Sequence, residues 1–454
     1  MPFNLGLGLG IQRGGYMFSP ASLFTASEPG VIYDASDINT LFQDTAGTQP
    51  VTAVGQAVAR INDKSGRGNH ATQSILASRP TYALHPSSGI RNLANGSADV
   101  GNAAYWPASI TSNGVTATKL GAGIDTDGLP YVDYSIVGTA TSTSFCDLYA
   151  IGSSRIAAST GQTFTTSTIA QITSGTVPPA GCGAVVAVYE ETAPTTVVAT
   201  TASSQFASTT QGIVTVTYTL VNASTNQARG GMYIRTASGA TVNYTIRIKA
   251  LQFELGSART NYQFNYANFN IVEAPFAQVG NLLFDGIDDF LVTPTITPNT
   301  DKVQVFAGVR KLSDAARGIV VELGAGPVSN SCGLEAPPNA ASGAYRMNSG
   351  GTVTNAGQGV AFAGAPDTAV LAGSADIAAD LARLRRNGVV GTDGTADQGT
   401  GIYGNQPLYI GRRGGTSLPF NGRLYGLVVR FGPNLDAATI AATEAWMNVR
   451  TGAY

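Results

Sequence analysis

The stretch TVNYTIRIKALQFELG, residues 241–256, decides the fold class of this chain. In its first half, a two-residue period puts apolar side chains on one face, at Tyr244, Ile246, Ile248 and Ala250. The second half continues this pattern one residue out of phase, at Leu251, Phe253 and Leu255. Side chains alternate between the two faces of a β-strand, so an uncorrected slip would turn the second half away from the core. The stretch therefore predicts one long strand with a β-bulge near Ala250.

Similar short strands flank this stretch on both sides. Before it, Thr- and Val-rich segments recur at short intervals, as in LPYVDYSIV, TFTTSTIAQI, AVVAVYEE and GIVTVTYTLV. After it, the same character continues in NLLFDGIDDFLVTP, KVQVFAGVRKL, RGIVVELG and FNGRLYGLVVRF. Regular short strands with turn residues between them are typical of β-sandwiches. The sequence therefore predicts an all-β fold.

Two local signals near the end of the chain predict a hairpin and a helix. Asn387-Gly388 lies between two apolar segments and predicts a tight β-hairpin, because both residues tolerate positive φ. In the terminal stretch NLDAATIAATEAWMNVRTGAY, Asp436 can cap a helix and Gly452 can end it. One face of this helix would carry Ile440, Thr443 and Met447. We expect no other helix of consequence.

The composition excludes several classes of protein. Charged residues make up 12% of the 454 residues and the formal net charge is −2, whereas binding to nucleic acid depends on many clustered cations. No apolar run approaches the about 20 residues that cross a membrane. Cys146, Cys182 and Cys332 provide neither a disulfide framework nor the paired thiols of a zinc site, although Cys146 and Cys182 could pair across a sandwich. We expect neither nucleic acid nor a membrane as partner.

The N-terminal stretch MPFNLGLGLGIQRGGYMF differs from the rest of the chain. It lacks the charged start and the cleavage pattern of a secretory signal. Its alternating Leu and Gly make it flexible and weakly apolar, so it cannot fold alone. Such a segment suits ordering against a partner, and residues 1–30 are predicted to form a docking arm with contacts from Phe3, Leu5, Leu7, Leu9 and Ile11. A frayed terminus is the alternative.

Three carboxylates fall close together in LLFDGIDDF, residues 282–290: Asp285, Asp288 and Asp289. As turn residues they would accept hydrogen bonds from nearby backbone N–H groups where one strand ends and the next begins. The main alternative is a calcium site, because calcium prefers oxygen ligands, but further ligands would have to come from other loops. The turn interpretation is preferred, and no cofactor is expected.

The sequence gives little support to an enzyme. Paired carboxylates for glycoside hydrolysis need a defined separation across a sugar-sized cleft, whereas Glu190 and Glu191 in VYEET are adjacent and face opposite sides of a strand. His70 lies in a polar loop and His85 precedes a proline, and neither lies near a recognisable Ser or Cys nucleophile motif. We therefore predict a protein that is not an enzyme.

The motifs FDGIDDFL, LRRNGVVG, PLYIGRR, FNGRLYGLVVR and EAWMNVRTG make the last part of the chain resemble the concanavalin A-like lectin/laminin G jelly roll, in the version found in bacteriophage virion proteins. The opening segment from residue 31 is similar to the first strands of the same domains. Its loop DKSGRGNHATQ, Asp63 to Gln73, matches theirs without a gap. Between these parts, RNLANGSADVGNAAYW and LQFELGSARTNY resemble the boundaries of carbohydrate-binding-module-like sandwiches in phage fibre and tail proteins.

The resemblance implies both a domain organisation and a function. Residues 31–90 and 271–454 would form the jelly roll, interrupted by a β-sandwich of residues 91–270. The chain would be a virion structural protein (a fibre, spike or decoration component) on the virion surface, held to other virion proteins by residues 1–30. It would contact host surface polysaccharide and form a homo-oligomer, with a trimer favoured. The alternatives are a ligand-free capsid or neck decoration protein and a secreted glycan-degrading enzyme.

Carbohydrate contacts would come from exposed aromatic rings flanked by polar groups, because such rings stack on the apolar faces of pyranoses. In the insertion, the candidates are Tyr105, Trp106 and Tyr131. In the jelly roll, Tyr403 and Arg412 are further candidates. Packing in the core is the alternative for each aromatic residue.

Overall fold

The computed structural model describes residues 18–454, except for residues 151, 194 and 327. This part of the chain contains thirty strands, three short 3-10 helices and one α-helix. None of its helices combines the length and the apolar character needed to span a membrane. The predicted contacts of the docking arm (Phe3, Leu5, Leu7, Leu9 and Ile11) lie outside the described residues.

The strands divide along the chain into three groups. The first group is β1 (Gly30–Asp34), β2 (Leu41–Phe42), β3 (Arg60–Ile61), β4 (Ala71–Thr72) and β5 (Thr81–Pro86). The second group is β6 (Ser109–Ser112), β7 (Val115–Ile124), β8 (Pro130–Thr139), β9 (Ser144–Asp147), β10 (Ile156–Ala157), β11 (Thr163–Gly175), β12 (Gly183–Thr192), β13 (Thr196–Ala202), β14 (Gly212–Thr219), β15 (Gln227–Thr236) and β16 (Thr241–Leu255). The third group is β17 (Phe264–Ala267), β18 (Asn270–Val272), β19 (Gln278–Asp285), β20 (Leu291–Ile296), β21 (Lys302–Lys311), β22 (Ile319–Leu323), β23 (Ser331–Glu335), β24 (Ala344–Gly350), β25 (Gly357–Phe362), β26 (Asp367–Asp376), β27 (Leu381–Arg386), β28 (Val389–Val390), β29 (Gln406–Ile410) and β30 (Asn421–Phe431). The helices are the 3-10 segments Pro20–Phe24, Ile38–Thr40 and Leu76–Ser78, and α1 (Ala437–Thr451).

The first and third groups form a jelly-roll sandwich of two sheets. One sheet has the order β17-β18-β5-β19-β30-β21-β26-β27-β28, with β1 also paired to β30. The other has the order β2-β3-β4-β20-β29-β22-β23-β24-β25. Side chains from both sheets, such as Val305 and Leu427 from one and Leu334 and Met347 from the other, are fully buried in one shared core. Burial of this apolar surface holds the two sheets together.

The second group forms a separate sandwich inserted into the jelly roll. Its sheets have the orders β14-β11-β16-β8-β7-β6 and β10-β15-β12-β13, with β9 also paired to β15. Its own core includes Phe164 and Phe253, whose rings stack with centroids 5.1 Å apart. The chain leaves the jelly roll after β5 and returns through β17 and β18, and β18 pairs with β5 in parallel. The predicted fold class, a jelly-roll sandwich with an inserted β-sandwich and one C-terminal helix, is therefore confirmed.

The bulge predicted in the long strand β16 is present. The register against β11 passes from Ser167 opposite Gln252 to Ile169 opposite Lys249, so β16 contains one extra residue there. Ala250 has a φ of 51°, which shifts the phase of the alternation. The apolar residues on either side of the bulge consequently reach the same core, except for Leu255 at the end of the strand, which is 47% exposed.

The predicted helix and hairpin are confirmed. The Asp436 side chain accepts a hydrogen bond of 2.7 Å from the backbone N–H of Thr439, and α1 ends at Gly452 with a φ of 59°. The buried face of α1 includes Met447, which packs with Leu23 and Phe24 against the outer side of the first jelly-roll sheet. Between β27 and β28, Asn387 and Gly388 adopt φ values of 51° and 76°, as a tight two-residue turn requires.

Candidate functional site

The loop that carries the most specific motif is organised by Asp63. Its two carboxylate oxygens accept hydrogen bonds from the backbone N–H groups of Ile32 and Ser65, both at 2.9 Å, and of Asn69 at 3.1 Å. The backbone N–H of Asp63 in turn donates to Nδ1 of His70 at 3.0 Å. These bonds tie the loop to strand β1, so Asp63 and His70 act in the structure of the jelly roll.

The three aspartates between β19 and β20 form the predicted turn. Oδ1 of Asp285 accepts from the backbone N–H groups of Ile287 at 2.8 Å and of Asp288 at 3.3 Å. Oδ2 of Asp289 accepts from the backbone N–H of Asp285 at 3.0 Å, and Oδ2 of Asp288 accepts from the Ser78 hydroxyl at 2.7 Å. Each carboxylate thus satisfies a neighbouring donor, as Asp does in turns.

The same aspartates are close enough to be considered as cation ligands. One oxygen from each of Asp285, Asp288 and Asp289 lies within 4.8 Å of the others. Burial and the charge of Asp285 raise the pKa of Asp289 to about 7, so the group holds a proton more readily than an ordinary aspartate. Calcium takes six to eight oxygen ligands, and this group, among the described residues, joins only three acidic side chains. The predicted turn bonds are present, and calcium binding stays the untested alternative.

Two of the five predicted carbohydrate-contact residues belong to the core. Trp106 is 1% exposed, and its ring lies 5.3 Å from that of Tyr149 in the inserted sandwich. Tyr403 is also 1% exposed, and its hydroxyl shares a 2.7 Å hydrogen bond with the hydroxyl of Ser349. A buried ring has no free face for a sugar, so the prediction of these two contacts was wrong. Packing against aromatic neighbours distant in the sequence is the physical reason.

The other three candidates are partly exposed but lie apart. The ring of Tyr131 on β8 is covered on one face by the Arg247 guanidinium, which lies 3.8 Å from the ring centroid. The ring of Tyr105 lies across Gly96, where an added Cβ would meet it at 2.2 Å. Arg412 donates to the backbone carbonyl of Asp288 at 3.3 Å, which places it beside the aspartate turn. These residues do not form one site.

Sequence reasoning missed a cleft that lies where the two sandwiches meet. Its volume is about 580 Å³, within the range of about 300–1,000 Å³ typical of ligand pockets. It is lined by residues 90–95, 152–157 and 226–227 of the insertion, by residues 265–271 of the return, and by residues of β19, β21 and β30. More of the lining surface is apolar than polar, and its polar side chains include Asn95, Arg155, Gln227, Asn265, Arg310 and Arg423.

Two arginines form the jelly-roll side of this cleft. Arg310 on β21 and Arg423 on β30 are directly opposite each other in the strand register, so their side chains share one face of the sheet. Arg310 donates to the hydroxyl of Thr368 at 2.9 Å. Arg423 donates to the side chain of Asn281 at 3.1 Å and to the backbone carbonyl of Asn268. Neither arginine forms an ion pair with a described carboxylate.

The pKa values of two groups near this arginine pair are lowered by burial and by the positive charges of the arginines. Burial, with a smaller contribution from the charge of Arg310, lowers the pKa of Arg423 to about 10, although Tyr425 acts in the opposite direction. Burial, with the charge of Arg423, lowers the pKa of His85 to about 3, so this histidine is neutral. Nε2 of His85 shares a 2.8 Å hydrogen bond with the hydroxyl of Tyr425, next to Arg423 on the same strand.

Several polar atoms of the cleft residues lack a partner within the described protein. Three are amide oxygens, on Asn95, Gln227 and Asn265, and two are the Nε atoms of Arg310 and Arg423. Asn265 is 2% exposed and Arg423 is 3% exposed. A buried polar group without a partner costs about 1–3 kcal/mol.

The adjacent glutamates on β12 have structural partners. Glu190 accepts hydrogen bonds from the backbone N–H groups of Val221 and Asn222, both at 2.9 Å. Glu191 forms ion pairs with Arg155 at 2.5 Å and with Arg229 at 2.6 Å. Both side chains are buried, and these contacts hold the edge of the inserted sandwich together.

Comparison with protein families and with characterised proteins gives no match. Several solved structures are similar to parts of the chain. The CBM40 module of the Ruminococcus gnavus IT-sialidase, solved with α2,3 sialyllactose, is 20% identical, with a TM-score of 0.26 over 32% of this chain and 83% of that one. A CBM4 structure is 15% identical, with a TM-score of 0.21 over 39% and 88%. Domains LG4-5 of mouse laminin α1 are 12% identical, with a TM-score of 0.24 over 62% and 88%. These similarities concern the fold alone.

Proposed function

We propose that this chain is a structural protein of a bacteriophage virion that binds polysaccharide on the host surface. The observation that carries the binding part is the cleft between the two sandwiches, whose lining includes amide side chains and two arginines without a described carboxylate partner. Sugar hydroxyls both donate and accept hydrogen bonds, so a saccharide matches this mixture. The phage origin rests on the sequence resemblance, above all on the loop from Asp63 to Gln73.

A virion protein needs an attachment to the particle, and we assign this role to residues 1–30. The described end of this segment is firmly held on the jelly roll. Nε of Arg430 donates to the backbone carbonyl of Leu23 at 2.8 Å, and Nη2 of Arg430 forms an ion pair of 2.9 Å with Glu28. An arm that starts from such a base can transmit load from the particle to the sandwiches. We further propose a position on the virion surface and a symmetric oligomer, with a trimer favoured.

Two measurements test the two parts of this proposal. Gold-labelled antibodies against the purified chain, applied to virions of the phage that encodes it, should label fibres, spikes or the capsid. Absence of label on intact virions would contradict the virion assignment. The purified chain should also be retarded in a native gel that contains host surface polysaccharide, relative to a gel without it. Equal mobility in both gels would contradict the binding function.

The alternative of a ligand-free decoration protein has one observation in its favour. Burial of Trp106 and Tyr403 removes two of the aromatic platforms that carbohydrate-binding sandwiches use. Label over the capsid or neck, combined with unchanged mobility in the polysaccharide gel, would support this alternative. A glycan-degrading enzyme is disfavoured because Glu190 and Glu191 are engaged in structural contacts, and a reducing-end assay tests it directly.

A further inference from the structure

We infer that the cleft between the sandwiches selects acidic saccharides, with Arg310 and Arg423 binding the carboxylate of the sugar. This inference rests on the proposed polysaccharide binding and adds the chemical class of the ligand. It is carried by the register of the two arginines, by the absence of a described carboxylate partner for them, and by the amide side chains that line the same cleft.

The register places two like charges side by side. Arg310 and Arg423 are cross-strand partners, and like charges directly opposite each other destabilise a sheet. A carboxylate between two guanidinium groups would reverse the sign of this interaction, because each would then face an opposite charge. The pair is therefore best explained as a receptor for an anion.

Arg423 differs from the other buried arginines in the described part of the chain. Arg229 pairs with Glu191, Arg413 with Glu322 and Arg430 with Glu28, at 2.6, 2.6 and 2.9 Å. Arg423 is 3% exposed, yet its hydrogen bonds go only to neutral groups. Burial of a charge is costly unless an opposite charge accompanies it. The missing carboxylate would come from the ligand.

The charge balance of the lining also favours an anion. Arg155 lines the cleft but is neutralised by Glu191. Asp285 is the one carboxylate among the described lining residues, whereas two arginines of the lining, Arg310 and Arg423, have no carboxylate partner. The cleft therefore keeps an excess of positive charge in a protein whose net charge is −2.

Amide side chains of the lining distinguish an acidic sugar from a simple anion. Asn95 and Gln227 line the cleft from the insertion and are partly exposed. Amide groups exchange hydrogen bonds with the hydroxyls of a uronic acid, whereas a carboxylate alone has no proton to donate. One residue of such a sugar would bring a carboxylate for the arginines and hydroxyls for the amides.

Binding of acidic and neutral polysaccharides by the full chain tests the inference. The acidic probes are polygalacturonate, alginate and hyaluronate, the neutral probe is dextran, and poly-L-glutamate serves as an acidic peptide. The variant is Arg310→Gln, because Arg310 is only partly buried and its loss removes a single bond to Thr368. The matched control is Arg383→Gln, which removes an arginine that pairs with Asp393 away from the cleft. Thermal melts of both variants check that they fold.

We expect at least one acidic polysaccharide to bind the wild-type chain, and dextran to bind at least tenfold more weakly. Arg310→Gln should weaken the binding of the acidic polysaccharide about tenfold or more, whereas Arg383→Gln should leave it unchanged. Equal binding of dextran, or no effect of Arg310→Gln, would overturn the inference and leave polysaccharide binding intact. Binding of poly-L-glutamate without any acidic polysaccharide would overturn the sugar ligand. Failure of all probes would overturn the inference, whereas the gel with host polysaccharide decides the proposed function separately.

Discussion

Replacement of Asp289 by Asn should stabilise the protein at pH 8 and change little at pH 4. The carboxyl of Asp289 is buried in the turn after β19, and burial together with the charge of Asp285 raises its pKa to about 7. In an unfolded chain the pKa of aspartate is about 3.9. The folded protein therefore holds this proton more tightly than the unfolded chain. The stability that this group contributes is fully present below about pH 4 and is lost as the pH rises to about 7.

The size of this effect follows from the two pKa values. Their difference corresponds to about 4 kcal/mol in the free energy of unfolding at pH 8. Asn can keep the local geometry, because its amide oxygen can accept the bond that Asp289 accepts from the backbone N–H of Asp285 at 3.0 Å. We therefore expect Asp289→Asn to raise the free energy of unfolding by about 2–4 kcal/mol at pH 8 and by less than about 1 kcal/mol at pH 4.

Urea unfolding at pH 4, 6 and 8 in the presence of a chelator measures this change. The control is Asp44→Asn, because the Thr48 hydroxyl and backbone N–H groups lower the pKa of the exposed Asp44. Asp44→Asn should therefore give no stabilisation at pH 8. An Asp289→Asn variant that gains the same stability at all three pH values, or loses stability at pH 8, would refute the reasoning. A calcium site would show itself differently, since chelation would then destabilise the wild type.

Three further changes test the packing and the helix. Asp436→Ala removes the cap of α1 and should lower the free energy of unfolding by about 1 kcal/mol, as measured by urea unfolding. Phe253→Ala empties a position at the centre of the inserted core and should cost about 3–5 kcal/mol in the same assay, whereas Leu255→Ala at an exposed position should stay within about 0.5 kcal/mol. Glu322→Gln removes the carboxylate that pairs with the buried Arg413, and removal of one partner of a buried pair costs about 3–5 kcal/mol. It should therefore lower the thermal midpoint by more than Asp436→Ala does. Melts that leave the Glu322→Gln midpoint unchanged would contradict a structural role for this pair.

The features that the sequence predicted correctly are those whose cause is local. The bulge near Ala250 follows from a change of phase within one strand, and the turn at Asn387 from the tolerance of its backbone for positive φ. The helix from Ala437 to Thr451 follows from a capping residue and a terminal glycine a few turns apart. Each signal lies within about 15 residues, so no knowledge of distant contacts is needed.

The candidate site could not be predicted in the same way, because distant segments form it. Arg310 and Arg423 are opposite each other only because β21 and β30 are neighbours in the sheet, although more than one hundred residues separate them. The same argument explains the error at Trp106 and Tyr403. Trp and Tyr rings of this kind can stack on sugars when they are exposed. Here packing against residues distant in the sequence buries both rings, which the local sequence does not reveal.

The position of Arg310 and Arg423 in the fold relates the stability that they cost to the binding role proposed for them. Arg423 lies on β30, a central strand that pairs with β1, β19 and β21. A buried charge without a partner at this position lowers the stability of the jelly-roll sheet. The jelly roll can tolerate this loss of stability because other residues of β30, such as Leu424 and Leu427, contribute apolar surface to its large core. The inserted sandwich adds the side chains of Asn95 and Gln227 to the lining of the same cleft. The cleft thus combines the unneutralised arginines of the jelly roll with amide side chains of the insertion, so the proposed recognition of an acidic sugar depends on the place where the insertion interrupts the jelly roll.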